Sequence, residues 1–263
     1  MSSAKPSQKE SPPTEPIWIC GFNPVREALR GWATGLGKLL VARQSKSDRV
    51  MQLEYQARKL RIQVEHLDRE MLTDLLGHSH HQDVALRCQG FPYADEDALL
   101  SRGAEAIAPL LLLDSIQDPQ NLGALLRSGC FLGAKGVLVP KDRAAAVTAT
   151  VIKVAAGAAS LIPVAQVTNL VRTMKKAKDC GLWVVGLDLR SDHSLYEADL
   201  SMPIGLVVGN EHKGLRPLVR ENCDLLLHLP AYGPIQSLNA ATAAAVALAE
   251  IQRQRASKFS VSS

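Results

Sequence analysis

Six short, predominantly apolar runs alternate with stretches of helical character through the second half of the chain. The runs are PLLLLDSI (109–116), GVLVP (136–140), LIPVAQV (161–167), LWVVGLDL (182–189), IGLVVG (204–209) and LLLHLP (225–230). A strand with one face in water alternates apolar and polar residues, whereas an unbroken apolar run requires cover on both faces. Helical segments fall between the runs, at Ala144–Ala159, LVRTMKKAKDCG and LRPLVRENC, and SLNAATAAAVALAEIQRQ closes the series. The alternation predicts an α/β unit with a parallel sheet covered by helices on both sides.

The region before it reads as a smaller α/β unit over 17–90. IWIC is a strand running into a helix with Pro24 near its start, and KLLVAR (38–43) is a second strand. SDRVMQLEYQARKLRIQVEHL gives a charged amphipathic helix and a strand at 63–67, and HQDVALRC (81–88) is a closing strand. Residues 91–108 form a polar, weakly helical linker into the second unit, 109–256. Residues 1–16, rich in Ser, Pro, Lys and Glu, lack the apolar core of a signal peptide and read as a disordered tail, and 257–263 as a second tail.

The formal net charge is +4, and residues 17–90 hold most of it, with 11 Lys and Arg against 8 Asp and Glu. A polyanionic partner would therefore meet the smaller unit first. Arg26, Arg30, Arg43 and Arg58 are its candidate phosphate contacts. The five cysteines are scattered and never form a CxxC pair, which excludes a zinc ribbon and a disulfide framework and implies a reducing compartment. No apolar run reaches the roughly 18 residues of a membrane span. These readings place the protein in the cytoplasm, with no metal and no membrane partner.

Ligands of open parallel sheets bind outside the carboxyl ends of the strands, so the loops there carry the functional argument. DSIQDPQNLGALLRS starts a capped helix in which Arg127 follows Gly123 and Ala124 by one turn, over a strip with little side chain. VVGNEHKGL brackets four polar residues with Gly209 and Gly214. Its G-x-x-x-x-G spacing fits no dinucleotide fingerprint, and Leu215 excludes a P-loop. LPAYGPIQSLNAATAAAVALAE makes a stiff loop and an alanine-rich helix capped by Ser237 or Asn239.

Together and in this order, DPQNLGALLRS, LVVGNEHKGL and LPAYGPIQSLNAATAAAVAL resemble the three motifs of the SpoU/TrmH branch of SPOUT RNA 2′-O-ribose methyltransferases. TATVIKVAAGAASLIPV, ICGFNPVREAL and HHQDVAL extend the resemblance over residues 17 to about 253. It implies a C-terminal domain threaded as a trefoil knot, a homodimer, and S-adenosyl-L-methionine held by Gly209, Asn210, Leu229, Pro230, Gly233 and Leu238. It assigns catalytic or substrate roles to Asn121, Arg127, Glu211, Ser237 and Asn239. The N-terminal unit resembles the RNA-binding domain of members that act on large-subunit ribosomal RNA, which implies methylation of a guanosine ribose there. The alternatives are transfer RNA, another ribosomal RNA position, or a non-catalytic RNA-binding or assembly protein. In this scheme Arg127 crosses the bare strip at Gly123 and Ala124 toward the cofactor site and the target ribose, where it stabilises alkoxide or phosphate charge, because a guanidinium does not deprotonate. The sequence departs from the family pattern at Asp83, where glycine is usual, and at His212 and Lys213, where smaller residues are common.

Overall fold

The computed structural model describes residues 16–105 and 109–261. All of the expected N-terminal tail but its last residue, the end of the linker and the last two residues of the chain lie outside them. The chain divides into two compact units, one of residues up to 22 together with 32–92, the other of 23–31 together with 93 onward.

The first unit is a four-stranded mixed sheet of β1 (Ile17–Cys20), β2 (Leu36–Ala42), β3 (Val64–Leu67) and β4 (Val84–Cys88) in the order β1-β4-β2-β3. β4 runs antiparallel to both neighbours, and β2 and β3 are parallel. The helix α1 (Phe22–Gly31) groups with the second unit from Asn23 onward. α2 (Asp48–Lys59) buries Val50, Leu53 and Ala57, spaced to line one helical face. α3 (Arg69–Leu76) buries Leu72 against Leu40, Ala42 and Ala85 of the sheet. The turn before β4 is left-handed at Gln82 (φ 51°) and Asp83 (φ 64°). Aspartate tolerates that region better than most residues with a Cβ, so the place of the usual glycine is filled without losing the turn. Asp83 N donates to Nδ1 of the buried His81 at 3.1 Å, and Arg69 Nε lies 3.2 Å from Asp83 Oδ1.

The second unit contains six parallel strands, as the apolar runs predict. They are β5 (Leu110–Leu113), β6 (Gly136–Pro140), β7 (Val164–Val167), β8 (Trp183–Leu187), β9 (Ile204–Val208) and β10 (Leu225–Leu227). The order is β10-β8-β9-β5-β6-β7, every pair parallel. Every residue of β5, β6 and β9 is buried. From β5 the chain moves outward to β6 and β7, and from β9 it moves the other way to β10. Loops leaving β5 and β9 thus diverge and open a crevice at their carboxyl ends. The helices are α4 (Glu96–Glu105), α5 (Pro119–Phe131), α6 (Ala149–Val154), α7 (Leu170–Asp179), α8 (Pro217–Glu221) and α9 (Ala240–Val261). Leu99 and Leu100 of α4 and Leu170 and Met174 of α7 pack in one core with Leu110, Leu112, Leu138 and Val207.

Three boundaries differ from expectation. The linker carries α4, whose leucines belong to the core. α9 continues to Val261, past the tail expected from 257. The single helix expected over 144–159 is broken. Ala145 N donates to Ile116 O at 2.8 Å, which holds the alanine run in irregular backbone outside any helix. α6 then ends at left-handed Ala156 and Gly157, and only a short 3-10 turn, Ala158–Ser160, follows. Gly157 is required there, because a Cβ would come within 2.8 Å of Glu27 Cγ of α1 and φ is 99°. Tertiary pairing overrides the helix propensity of alanine.

Candidate active site

The site is built at the carboxyl ends of β5 and β9. β5 runs directly into Asp114, fully buried, whose N donates to Val208 O of β9 at 2.8 Å. Its carboxylate accepts from Arg216 N at 2.8 Å and from Arg216 Nε at 2.5 Å. Burial of a carboxylate demands such pairing. Four residues on, Arg220 Nε pairs with Asp188, which follows β8. The short helix α8 therefore ties down two strand ends. Asp114, Asp188, Arg216 and Arg220 were not singled out from the sequence. The available signal was an aspartate directly after an apolar run, which occurs in both LLLLDS and VVGLDL.

The loop after β9 folds back on itself. Asn210 N donates to Gly214 O at 3.1 Å and Gly214 N returns to Asn210 O at 2.9 Å. Asn210 Oδ1 accepts from His212 N at 3.0 Å and Lys213 N at 3.2 Å, and its Nδ2 donates to Ser115 O at 3.0 Å. A Cβ on Gly209 would lie 2.4 Å from the carbonyl carbon of Gly214, so glycine alone fits this crossing. The result is a half-buried main-chain loop, braced by its own hydrogen bonds, beside Glu211.

Glu211 is held from two other loops. At the start of α5, Asp118 caps the helix by accepting from Gln120 N at 2.9 Å, with Pro119 in the first turn. That places Asn121, whose Nδ2 donates to Glu211 Oε1 in a short hydrogen bond. Asn239 Nδ2 donates in turn to Asn121 Oδ1 at 2.7 Å, while Asn239 Oδ1 caps α9 through Ala241 N at 2.9 Å. Three residues from three motifs thus form one chain of side-chain hydrogen bonds ending on a carboxylate.

Beside this chain lies a cleft of ≈ 430 Å³, walled by the segment after β8, the β9 loop and the β10 loop. Gly209, Asn210, Leu229, Pro230, Gly233 and Leu238 all line it, as do Glu211 and Ser237. Asn121 and Asn239 reach it through Glu211. Arg127 does not join them. It is exposed on α5 and lines no part of the cleft. The strip expected to carry its side chain across is filled instead, since a Cβ on Gly123 would lie 2.6 Å from Val154 Cβ of α6. The smallness of Gly123 serves helix packing. Sequence reasoning also passed over Leu187, Leu189 and Arg190, which form the cleft wall after β8. Of the candidate phosphate contacts, Arg26 and Arg30 sit on α1 beside Glu27, at 2.6 and 3.9 Å. Arg43 lies 4.0 Å from Asp68, and Arg58 3.7 Å from Glu54, in the first unit. Among the described residues no cluster of His, Cys, Asp and Glu could hold a metal ion.

Comparison with known proteins follows this division of the chain. Residues 108–249 match the SpoU rRNA Methylase family, and residues 18–94 match the RNA 2′-O ribose methyltransferase substrate binding family. The chain belongs to the SpoU rRNA methylase family. It is an enzyme of the RNA 2′-O-ribose methyltransferase class. It is 42% identical over 240 residues to the 23S rRNA (guanosine-2′-O-)-methyltransferase RlmB of Xanthomonas campestris pv. campestris, covering 90% of this chain and 96% of that protein. It is 43% identical over 241 residues to an uncharacterized tRNA/rRNA methyltransferase of Mycobacterium sp., covering 91% and 77%. The SpoU methyltransferase AviRb from Streptomyces viridochromogenes superposes with a TM-score of 0.79 at 26% identity, over 92% of this chain and 91% of that one. AviRb in complex with AdoMet superposes with a TM-score of 0.77 at 27% identity, with the same coverage.

Proposed function

We propose that this protein transfers the methyl group of S-adenosyl-L-methionine to the ribose 2′-oxygen of a guanosine in 23S ribosomal RNA. The observation that carries this is the pinning of Glu211 by Asn121, itself held by Asn239, at the edge of a cleft whose lining includes Gly209. The relatives supply the substrate class, since the RlmB of X. campestris matches over nearly its whole length.

The cleft suits the cofactor. Its volume falls within the range of small-molecule sites, and Gly209, which has no room for a Cβ against the Gly214 backbone, puts main chain without a side chain into its lining. Leu187, Leu229, Ile235 and Leu238 offer apolar area for a base, and the β9 loop offers polar groups. When bound, the cofactor supplies a methyl on a sulfonium, an electrophile that needs no metal. What the chain must add is alignment of the incoming hydroxyl and a place for its proton. Glu211, held through one oxygen by Asn121, orients groups at the cleft edge, and Ser237 on the opposite loop is within the same lining. Holding the reactants aligned supplies much of the acceleration. Arg127, exposed on α5, acts on phosphate or developing oxygen charge of the RNA as it lies over the site rather than from within the cleft. Arg127→Lys keeps the charge but loses the planar fork. An unaltered kcat and pH profile for that variant would remove the guanidinium-specific role.

The same reading includes a trefoil-knotted C-terminal threading, residence in the cytoplasm with the ribosome, and a homodimer. The dimer is supported by Tyr232 and Ile235, 90% and 74% exposed beside the cleft, more apolar surface than one short loop ordinarily leaves in water. The deciding experiment combines titration calorimetry of S-adenosyl-L-methionine with mapping of 2′-O-methyl groups on RNA treated with the purified protein. Methylated guanosine in 23S RNA is the expected product. Methylation of transfer RNA alone would move the assignment to the transfer RNA alternative, and cofactor binding without methylation of any RNA would overturn it. Light scattering at twice the chain mass checks the dimer.

A further inference from the structure

The helix α2 has two unlike faces. Its apolar residues Val50, Leu53 and Ala57 are buried, while Met51 and Tyr55 on the other side are 54% and 62% exposed. Lys59 lies one turn beyond Tyr55 with its Nζ 4.7 Å from the ring centroid. Asp48, Met51, Gln52, Tyr55, Gln56 and Lys59 line one shallow, open groove along this face. The tyrosine contributes little to the core of the first unit, and its ring, with the Lys59 ammonium over one face, is otherwise presented to the outside.

The charge of the chain segment that carries this ring is concentrated. Residues 43–61 hold six Lys and Arg and two Asp and Glu, a net of +4 in nineteen residues, equal to the net charge of the whole chain. All six basic residues are exposed. Of the two acids, Glu54 is occupied by Arg58 and His66, at 3.7 and 3.2 Å. A cationic surface with a solvent-facing aromatic ring matches the chemistry of unpaired nucleic acid. Cations meet the phosphates, and a base in no stack of its own lies on the ring. A duplex hides the faces of its bases, so it cannot use the ring.

We infer that this face of α2 binds a single-stranded segment of the RNA substrate, with a base stacked on Tyr55 and the flanking phosphates met by Lys59 and Arg58. The inference rests on the RNA methyltransferase reading above and adds to it a specific contact and the strand state it selects. It also separates the basic residues by role. Arg26 and Arg30 lie on α1 outside this unit, whereas Arg43 and Arg58 belong to the same charged region as Tyr55.

The test uses the full chain and fluorescence anisotropy with two probes, a fluorescein-labelled single-stranded RNA of mixed sequence and the same strand annealed to its complement. Tyr55→Ala is expected to weaken single-strand binding about tenfold, in line with loss of one stacked base, and to change duplex binding less than about twofold. Tyr55→Phe keeps the ring and is expected to bind as the parent protein does. Lys59→Gln is expected to flatten the slope of log affinity against log salt for the single strand by about 0.7. An unchanged melting temperature for each variant confirms that an exposed position was altered without unfolding. Wild-type affinity in Tyr55→Ala overturns the proposal, and so does an equal loss for both probes. A parent protein that binds neither probe, or prefers the duplex, overturns it as well and leaves the face to a protein partner. Methylation of ribosomal RNA by the same preparations is read separately. Methylation together with Tyr55-independent binding sinks the stacking site alone, and Tyr55-dependent binding without methylation sinks the reaction assignment alone.

Discussion

The two loops that face each other across the cleft are built on opposite plans. The loop after β9 satisfies itself, with Asn210 and Gly214 paired through main chain, His212 and Lys213 bonded to the Asn210 side chain, and Asn210 tied to Ser115. The loop after β10 is exposed at every residue from 231 to 239, and Asn239 at its far end anchors it to Asn121 and α9. A preorganised loop spends no ordering entropy when a ligand arrives, whereas an exposed one gives up freedom in exchange for contact. The difference teaches that this cleft has a fixed floor and an adaptable cover.

The largest effect expected from breaking this contrast is at the floor. Gly209→Ala forces a Cβ to 2.4 Å from the Gly214 carbonyl carbon, where neither backbone can give way without dismantling the loop. Calorimetry should show S-adenosyl-L-methionine affinity reduced by about a hundredfold or more, with a stability loss of about 1–3 kcal/mol in a melting experiment. Next is the carboxylate between the loops. Glu211→Gln should lower kcat by about 10²-fold while leaving cofactor affinity within a few fold, the pattern of a group that matters in the transition state. Asn121→Ala removes the donor to Glu211 and the acceptor for Asn239 together. It should lower kcat by about tenfold or more and couple non-additively with Asn239→Ala, because the two belong to one network. Strict additivity in that double-mutant cycle would show that the network does not act as a unit.

Smaller effects should sharpen the contrast. Ile235→Ser in the cover should weaken cofactor binding by about five- to tenfold, the cost of one exposed aliphatic contact. Amide hydrogen exchange should find Gly214 protected before any ligand is added, and residues 231–238 unprotected until S-adenosyl-L-methionine is present. Equal protection of both loops in the free protein would erase the distinction.

The fixed floor and the adaptable cover were unequally legible. VVGNEHKGL reads as a sharp turn after a strand because two glycines flank polar residues after an apolar run, whereas the close approach of Gly209 to Gly214 is visible only in the structure. LPAYGPIQSLN reads as stiff from its prolines, yet it is the exposed loop, since proline restricts the chain without supplying contacts. All six strands of the second unit were visible as apolar runs, most completely β5, β6 and β9, where burial of every residue leaves that mark. Their order was not, because strand order depends on which neighbours the crossovers select. The contact between Asn121 and Glu211 joins residues 90 positions apart, which no periodicity encodes. It became readable only when three motifs were taken together. Gly123 and Arg127 show the reverse error. A glycine on a helix looks the same in sequence whether it makes room for a ligand, an arginine or a neighbouring helix, and here α6 takes the space.

Arg216 and Arg220 show what a spacing of four residues can measure. One guanidinium holds the aspartate after β5 and the other the aspartate after β8, while β9 runs between those strands. Their separation along α8 therefore acts as a ruler for the width of the sheet at its working end. Adding a single residue to that helix would swing the second arginine by about 100° and release one side of the sheet while the other stayed fastened. The gauge between those supports is written into five consecutive positions.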